Sequence, residues 1–204
     1  IRAEALRETL LDLGMSTTGI VFDESWLYSK NKDIIDNFSS RYFYVEDPIN
    51  VEVENVPFPE HTAEPLLLPS NPKMGKRKIK VTAKNGKLKV LLAHTDAIRL
   101  RNGQIVRLKD LLNIEITAIE LNKNLIKSRF HSLELNREFS ILQWVSKEEN
   151  VQVSILKPDG TISKGNGEIN LINIPLNKTI QFERFGFVNP IKWEDNVLIC
   201  YFTH

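Results

Sequence analysis

The chain has 204 residues, with 27 Lys and Arg against 26 Asp and Glu, and therefore a formal net charge of +1. Hydrophobic residues make up 42% and charged residues 26% of the chain, a balance that is typical of a folded globular protein and excludes global disorder. The near-zero charge predicts no general affinity for polyanions, so a nucleic-acid site must come from local basic clusters. The single cysteine, Cys200, excludes a disulfide framework and a cysteine-based zinc site, and it favours a reducing compartment.

The beginning of the chain and its hydropathy give two further expectations. No apolar run approaches the roughly 20 residues that a membrane helix needs, and no signal peptide opens the sequence. We therefore expect a cytoplasmic protein with no membrane partner. The sequence starts at Ile1 without a methionine and enters a helical pattern at once, so we interpret it as a piece of a longer polypeptide.

Residues 1–40 have a helical pattern. Apolar residues recur at spacings of three and four on one face of a first helix: Ala3, Leu6, Leu10 and Leu13. Gly14 is expected to end this helix. A second helix is predicted over residues 23–37, with Asp23 or Ser25 as its N-cap. Its buried face is expected to contain Trp26, Ile34 and Ile35.

After residue 40 the pattern changes to short β-strands. Strand-forming runs occupy residues 42–45, 51–56, 79–83, 88–90, 114–121, 140–145, 151–156, 179–182 and 197–202. The Asn85-Gly86 pair between two alternating runs predicts a hairpin with a type I′ turn. Turns are also predicted at 159–160 (DG) and 165–167 (GNG). Five prolines between Pro57 and Pro72 exclude a helix or a central strand there and predict an extended surface connection.

This strand spacing, without intervening helices, favours barrels or sandwiches over an α/β sheet. We expect a mainly β protein, in which a short N-terminal helical segment (1–40) is followed by two small β-barrels (41–204). The boundary between the barrels stays open. We expect the chain to return to its first barrel near the C-terminus.

No pattern in the sequence supports an active site or a metal site. The nucleophile pattern G-x-S-x-G and both glycine-rich phosphate loops are absent. Cys200 lies in an apolar run that is typical of a buried structural cysteine, and the four histidines lack metal-ligand spacing. We therefore predict no catalytic residue, no metal and no cofactor within this chain.

Two basic clusters are the candidate contacts for an anionic partner. The first places five cations in eight residues without an acid: Lys73, Lys76, Arg77, Lys78 and Lys80. The second flanks the Asn102-Gly103 pair: Arg99, Arg101, Arg107 and Lys109. Arginine binds planar acceptors at two points and stacks on bases, which suits RNA. A solvated loop or a protected strand edge explains the same charges, so the residues alone leave both interpretations open.

Four strings in the sequence resemble glutamyl-tRNA synthetases of the archaeal and eukaryotic type, which are close kin of the glutaminyl enzymes. Residues 41–48 (RYFYVEDP) resemble the family's R-Y-F-x-V-x-D-P segment, and 106–113 (VRLKDLLN) resemble its V-R-L-x-D-L-x-N element. Residues 181–188 (QFERFGFV) resemble Q-F-E-R-x-G-F/Y, and 141–145 (ILQWV) resemble an I-Q/H-W-V strand. These ordered matches cover the chain from about residue 35 to its end.

The resemblance implies the helical stem-contact segment and the two anticodon-binding barrels of a class I enzyme that attaches glutamate to its tRNA using ATP. Neither class I signature, H-I-G-H or K-M-S-K-S, is present, and residues 73–77 (KMGKR) match a turn of the family's first barrel instead. The chain is thus expected to bind unstacked anticodon bases but not to activate glutamate. ATP would belong to the missing catalytic domain. The implied partner is glutamate tRNA, with glutamine tRNA left open; no DNA partner and no oligomeric state are implied.

The resemblance also assigns contacts at the second and third anticodon bases. Arg41 and Gln181 match residues that hold the middle base, and Pro72 matches a proline that lines this pocket. Arg99 and Arg184 match arginines placed at the third base. Glutamate and glutamine anticodons share a middle U and differ at the third base, C against G, so the two specificities should diverge there.

The remaining predicted contacts lie nearer the first base and the backbone. Arg107 and Lys109 match a basic pair near the first base and its phosphate. From the basic cluster we expect phosphate contacts at Lys76, Arg77 and Lys78.

Each contact has a structural alternative. Arg41 and Arg184 could pair with Glu46 and Glu183 instead of a base. The glutaminyl pattern has an arginine where Lys109 stands, so a glutaminyl enzyme is the weaker same-class alternative. A non-catalytic β-barrel binding or scaffold module is the alternative from another class.

Overall fold

A computed structural model describes residues 1–14, 19 and 22–203. The predicted helical segment includes residues 15–18, 20 and 21, and the predicted barrel region includes residue 204, all of which lie outside the described residues. The helices are α1 (Ala3–Leu13), α2 (Glu24–Ile35) and α3 (His94–Ala97), with single 3-10 turns at Pro72–Met74, Leu121–Lys123 and Ile169–Asn173.

Sixteen strands are described in chain order. They are β1 (Arg41–Tyr42), β2 (Tyr44–Glu46), β3 (Ile49–Glu54), β4 (Glu60–Ala63), β5 (Ile79–Thr82), β6 (Leu88–Leu92), β7 (Ile105–Leu108), β8 (Asn113–Glu120), β9 (Leu125–Ser132), β10 (Ser140–Leu142), β11 (Val145–Ser146), β12 (Asn150–Leu156), β13 (Ile162–Glu168), β14 (Ile180–Phe182), β15 (Gly186–Glu194) and β16 (Val197–Phe202). The mainly β class with N-terminal helices is therefore confirmed.

The ends of the two long helices follow the predicted signals. Gly14 ends α1 with a φ of 68°, and its N–H donates to the carbonyl of Leu11. Asp23 caps α2 by accepting a hydrogen bond of 2.8 Å from the Ser25 N–H. Among the described residues, no helix is both long enough and apolar enough to cross a membrane.

The apolar face predicted for α1 is largely exposed, and the buried face predicted for α2 is confirmed at Ile35 but wrong at Trp26. α1 buries Ala5 and Thr9, whereas Leu10 on the predicted face is 56% exposed. α2 buries Asn31 and Ile35, and Trp26 is 50% exposed. The small side chains at Ala5 and Thr9 are four residues apart, so they form one stripe on which the two helices approach each other.

One sheet closes into a barrel that we call the continuous barrel. Its strand order is β10-β7-β8-β9-β3-β6-β11. The two end strands belong to one stretch, residues 140–146, interrupted only at Gln143 and Trp144. β10 runs parallel to β7 and β11 runs antiparallel to β6, so this stretch joins both ends of the sheet.

A second sheet closes in the same way into what we call the split barrel. Its order is β1-β14-β15-β16-β12-β13-β2. Residues 41–46 supply both end strands, parallel to β14 and antiparallel to β13, with a break at Phe43. The chain therefore starts the split barrel, builds the continuous barrel over residues 49–146, and then completes the split barrel. The division of the chain at residue 40 stays a prediction.

The strand at 41–46 contributes to two cores. Phe43 and Val45 belong to the core of the continuous barrel, while Tyr42 and Tyr44 belong to that of the split barrel. Successive side chains of a strand point to opposite faces, so one short strand serves both barrels. The ring of Phe43 lies 6.1 Å from that of Trp144, between centroids, in the other closing stretch.

The turn predicted at residues 165–167 is wrong. This segment lies inside β13, which pairs with both β12 and β2. A Cβ atom at Gly165 would lie 2.1 Å from the carbonyl oxygen of Val45, and one at Gly167 would lie 2.1 Å from Leu171 Cδ1. The glycines permit close approach to neighbouring groups rather than a change of chain direction.

Other turn predictions are confirmed in whole or in part. Asn85 and Gly86 both have positive φ, 53° and 71°, as a type I′ turn requires. Only one residue pair, Lys84 and Lys87, is bridged next to this turn. Beyond it, the strands β5 and β6 belong to different sheets. The proline-rich stretch also contains β4, an edge strand that pairs only with β5 among the described strands.

Substitution of the strand glycines tests this packing. We expect Gly165→Ala to lower the free energy of unfolding by about 1–3 kcal/mol, because a backbone carbonyl cannot move without breaking the sheet. Gly167→Ala should lower it less, since the atom it meets is the end of a flexible leucine. Gly19→Ala, whose added Cβ would meet none of the described residues within 4 Å, is the control. Urea unfolding measures all three, and a Gly165→Ala chain as stable as the unchanged chain would contradict the packing.

Candidate nucleic-acid interface

The seam between the barrels is built on the pairing of β1 with β14. These strands run parallel, with Arg41 in register with Gln181. Ile180 and Phe182 point into the core of the split barrel, so Gln181 between them lies on its outer face. Glu183 continues this outer face beyond the strand. On this outer face Glu183 meets Lys109 and Gln143 of the continuous barrel.

A cluster of four charged side chains crosses the seam. The Nε of Arg77 donates to Glu168 Oε1 and Oε2 at 2.9 and 3.1 Å. Arg77 Nη2 lies 3.6 Å from Glu183 Oε1, and Lys109 Nζ donates to Glu183 Oε2. Gln143, at the break in the 140–146 stretch, donates from Nε2 to the same oxygen at 3.3 Å. Two cations and two carboxylates therefore balance one another between the barrels.

The Arg77–Glu168 pair at the centre of this cluster is fully enclosed, with side chains 1% and 0% exposed. Glu168 also accepts from the Phe43 N–H at 2.7 Å and from Asn170 Nδ2 at 3.0 Å. Burial raises the pKa of Glu168 above its ordinary value, and the neighbouring Arg77 guanidinium opposes this rise. Because it is enclosed in this way, the guanidinium of Arg77 offers no accessible donor to a phosphate.

At another part of the seam, Arg184 of the split barrel binds Asp96 of α3. The two distances are 3.0 Å from Nη1 to Oδ2 and 2.9 Å from Nη2 to Oδ1. Arg99 is exposed, and its N–H donates to the carbonyl of Asp96 at 3.1 Å, which places it beside this pair. A cleft of ≈ 270 Å³ opens here, and its lining includes Tyr44, Asp96, Gln143, Glu183, Arg184 and Phe185.

The residues around Pro72 lie near the Arg41 end of the seam. The N–H of Arg41 donates to the carbonyl of Leu67 at 2.7 Å, and the N–H of Leu67 donates to that of Gly75 at 3.0 Å. Pro72 is exposed and begins the 3-10 turn that Gly75 ends. Leu67 therefore links this turn to Arg41 through two backbone hydrogen bonds.

The two predicted phosphate contacts other than Arg77 are on the surface. Lys76 is exposed and lies 3.3 Å from Glu64. Lys78 is exposed, and its backbone carbonyl accepts from Asn170 Nδ2 at 3.2 Å. Both ammonium groups therefore lie in solvent next to the seam cluster.

Arg107 lies apart from this seam. It is 9% exposed, and its Nη1 donates to Asn113 Oδ1 at 2.9 Å. The same nitrogen lies 3.2 and 3.4 Å from the carbonyl oxygens of Leu133 and Glu134. Arg107 therefore anchors the loop that follows β9, a role that the sequence patterns did not indicate.

Buried polar atoms without a hydrogen-bond partner concentrate at the seam. Across the described residues there are five such side-chain atoms: Ser39 Oγ, Arg41 Nε, Arg77 Nη2, Gln181 Oε1 and Asn189 Oδ1. Three of them belong to the seam residues Arg41, Arg77 and Gln181, and Ser39 lies two residues before Arg41 in the chain. Buried polar atoms are nearly always paired, so the unpaired donor of Arg41 and the unpaired acceptor of Gln181 mark these two half-buried side chains as candidates for binding a polar ligand.

The ion-pair partners were not those considered from the sequence. Arg41 lies 3.2 Å from Asp36, not beside Glu46, and Arg184 pairs with Asp96, not with Glu183. No local sequence pattern identifies Glu168 as a seam residue, because its partner Arg77 is 91 residues away in the chain. A polar Gln143 within an apolar strand pattern was a signal that could have been used.

Metal ligation and cysteine chemistry were two further possibilities for the described residues. In the part of the chain that the structure describes, no group of three His, Cys, Asp or Glu residues could hold a metal ion. Cys200 is buried in the split barrel, and burial raises the pKa of its thiol to about 12. A thiol of this kind is not a nucleophile at neutral pH.

Comparison with known proteins decides the family. Two family models, each described as tRNA synthetases class I (E and Q), anti-codon binding domain, match residues 39–134 and 141–190. The chain belongs to this family. The matched ranges include the closing stretch 41–46, residues 141–146 of the other closing stretch, and both strands on which the seam is built.

Curated relatives of the family match along most or all of the chain. The chain is 37% identical over 205 residues to a glutamate–tRNA ligase of Methanocella arvoryzae, covering 100% of the chain and 34% of the relative. It is 33% identical to that of Methanopyrus kandleri (92% and 33% covered) and 31% identical to that of Pyrococcus horikoshii (100% and 35%). The chain thus spans about a third of the length of these relatives.

The enclosed ion pair gives a stability prediction. We expect Glu168→Ala to lower the free energy of unfolding by about 3–5 kcal/mol, because it leaves Arg77 buried without its main partner. Glu64→Ala removes the carboxylate of an exposed pair with Lys76 and should leave stability nearly unchanged. Urea unfolding of both variants measures the difference. Equal effects would contradict a stabilising role for the buried pair.

Proposed function

We propose that this chain recognises the anticodon of glutamate tRNA, as the anticodon-binding part of a glutamate–tRNA ligase. The observation that carries the proposal is the seam, where Arg41 and Gln181 are register partners that each hold a buried, unpaired polar atom. The family membership supports the same function. Bases splayed out of an RNA loop present the hydrogen-bonding edges that such atoms can satisfy.

The chemistry of the pair suits the middle base of the anticodon, U. Uracil has an N3–H donor flanked by two carbonyl acceptors. Rotation of the half-buried Gln181 side chain would present its unpaired Oε1 as an acceptor for the N–H, and the guanidinium of Arg41 supplies donors for a carbonyl oxygen. Pro72 lies at the turn held beside Arg41, where it would line this pocket.

The other proposed contacts differ in the solvent exposure of their side chains and in whether protein groups already bind them. Arg99 is exposed and adjoins the Asp96–Arg184 pair, which supports the proposal of both arginines at the third base. Lys109 and Arg107 stay the proposed basic pair near the first base, although protein acceptors already hold each of them. We propose Lys76 and Lys78 as phosphate contacts and leave out Arg77, which is enclosed.

The activity of the whole protein is part of the proposal. The relatives are named glutamate–tRNA ligases and are about three times as long as this chain. We propose that ATP binding and transfer of glutamate to tRNA belong to a further part of the protein, and that the protein works in the cytoplasm. Recognition of glutamine tRNA stays the same-class alternative, because the family models cover both specificities.

The first test concerns the middle base. Gln181→Ala should weaken binding of a glutamate anticodon-arm RNA hairpin by about 1–3 kcal/mol and reduce discrimination against a hairpin with C as the middle base. Gln152→Ala, an exposed glutamine on β12, is the matched control and should change neither quantity. Fluorescence anisotropy titrations of the three chains give the affinities.

Two outcomes would contradict this assignment. Loss of affinity without any change in discrimination would mean that Gln181 does not read the base. Equal affinity of the unchanged chain for the anticodon hairpin and for an unrelated RNA of the same length would favour the non-catalytic scaffold interpretation.

The second test concerns the phosphate contacts. Lys76→Ala and Lys78→Ala should each reduce the slope of log Kd against log salt concentration by about 0.7–0.9, because each variant leaves one phosphate without its neutralising ammonium group. Lys192→Ala, an exposed lysine paired with Glu194 on the split barrel, is the control. Titration of the hairpin at several salt concentrations measures the slopes, and unchanged slopes would remove residues 76–78 from the interface.

A further inference from the structure

Arg184 has an unusual backbone conformation. Its φ is 63°, in the left-handed region that long side chains avoid. Eight other non-glycine residues in the described chain have positive φ, and all eight are Asn or Asp, which tolerate this region. Arg184 is the one exception among the described residues. Strain that persists at a single arginine is a sign that its side chain is needed there.

The turn around Arg184 would accept glycine. The Phe185 N–H donates to the carbonyl of Phe182 at 3.0 Å, which closes a tight turn with Glu183 and Arg184 at its centre. In turns with positive φ at the third position, glycine is the favoured residue there. The local backbone therefore does not explain an arginine.

Asp96 fixes the direction of the Arg184 side chain. The two hydrogen bonds of 2.9 and 3.0 Å engage both terminal nitrogens, so the planar guanidinium is held at two points. The carboxylate of Asp96 is 12% exposed, whereas the arginine side chain is 50% exposed. Asp96 belongs to α3 beside the continuous barrel and Arg184 to the split barrel, so the clamp spans the cleft between them.

The cleft beneath this clamp suits a base rather than a phosphate. Among the described residues that line it, Arg184 is the one cation, and the carboxylates of Glu46, Asp96 and Glu183 surround it. Each of these acids is paired with a cation, Glu46 with Lys157, Glu183 with Lys109 and Asp96 with Arg184, so the cleft holds no surplus positive charge to attract a phosphate. Of the five N–H donors of a guanidinium, the clamp uses two, and the remaining donors stay available for base acceptors.

We propose that Asp96 is a positioning residue that holds Arg184 over the cleft, so that the pair selects cytosine over guanine at the third anticodon base. The inference rests on the proposed function. Cytosine presents acceptors at N3 and O2 for the guanidinium and an amino group for a carboxylate, as protein carboxylates accept from this group elsewhere. The pairing edge of guanine presents two donors beside one acceptor, which opposes the donors of Arg184.

The test uses two RNA hairpins that differ only in the third anticodon base, C or G, and the 204-residue chain. We expect the unchanged chain to prefer the C hairpin, and Asp96→Asn and Asp96→Ala each to reduce the C-over-G affinity ratio by about tenfold. Glu115→Ala is the matched control, because it removes the carboxylate from another two-point arginine pair, with Arg129, away from the cleft. It should leave the ratio unchanged.

The outcomes separate the inference from the proposed function. If Asp96 only joins the barrels, its variants will bind both hairpins more weakly by the same factor, and the inference fails while the proposed function stands. If the unchanged chain binds neither hairpin better than an unrelated RNA, both fail.

Two substitutions of Arg184 test the strain without RNA. Arg184→Gly and Arg184→Ala both remove the clamp, but only glycine relieves the left-handed backbone. We expect the glycine variant to unfold at the higher urea concentration of the two and both to lose the preference for C. An alanine variant as stable as the glycine variant would overturn the claim that the turn holds strain for the sake of the arginine.

Discussion

The architecture depends on one short strand, residues 41–46, which two barrels share. Its odd and even side chains enter different cores, and the enclosed Arg77–Glu168 pair lies against its break at Phe43. An ion pair without solvent is stable only when every partner stays in place. Separating the two barrels would therefore leave Arg77 or Glu168 buried without its partner, and this cost helps to fix their relative position.

This arrangement reconciles a net charge of +1 with the proposed RNA partner. The cations at the seam are balanced by carboxylates, so they form a pre-organised set of donors and acceptors rather than a broad positive surface. Such a surface would bind phosphate regardless of sequence. A neutral, half-buried set is better suited to base edges, where a missing hydrogen bond is penalised by desolvation.

The fold was largely predictable and the packing was not. Strand patterns at 114–121, 151–156 and 197–202 are confirmed as β8, β12 and β16, because alternation and turn residues act locally. The turn predicted at residues 165–167 and the burial predicted for Trp26 were wrong. Contacts across a sheet or between helices depend on residues that are distant in the sequence, so local patterns do not predict them. The same limit applies to Glu168 and Asp96, whose partners lie 91 and 88 residues away.

The sequence by itself determined the mainly β class, the likeness to the anticodon-binding family and the residue types available at the seam, since motifs and periodicity are local properties. Only the tertiary structure decided which cationic side chains are accessible to a ligand and which are bound to protein groups. It enclosed Arg77, turned Arg107 towards a loop, placed Arg41 beside Gln181 and set Asp96 against Arg184. Charge and hydrogen-bonding capacity belong to a residue, but accessibility and partnership arise only when distant segments pack together.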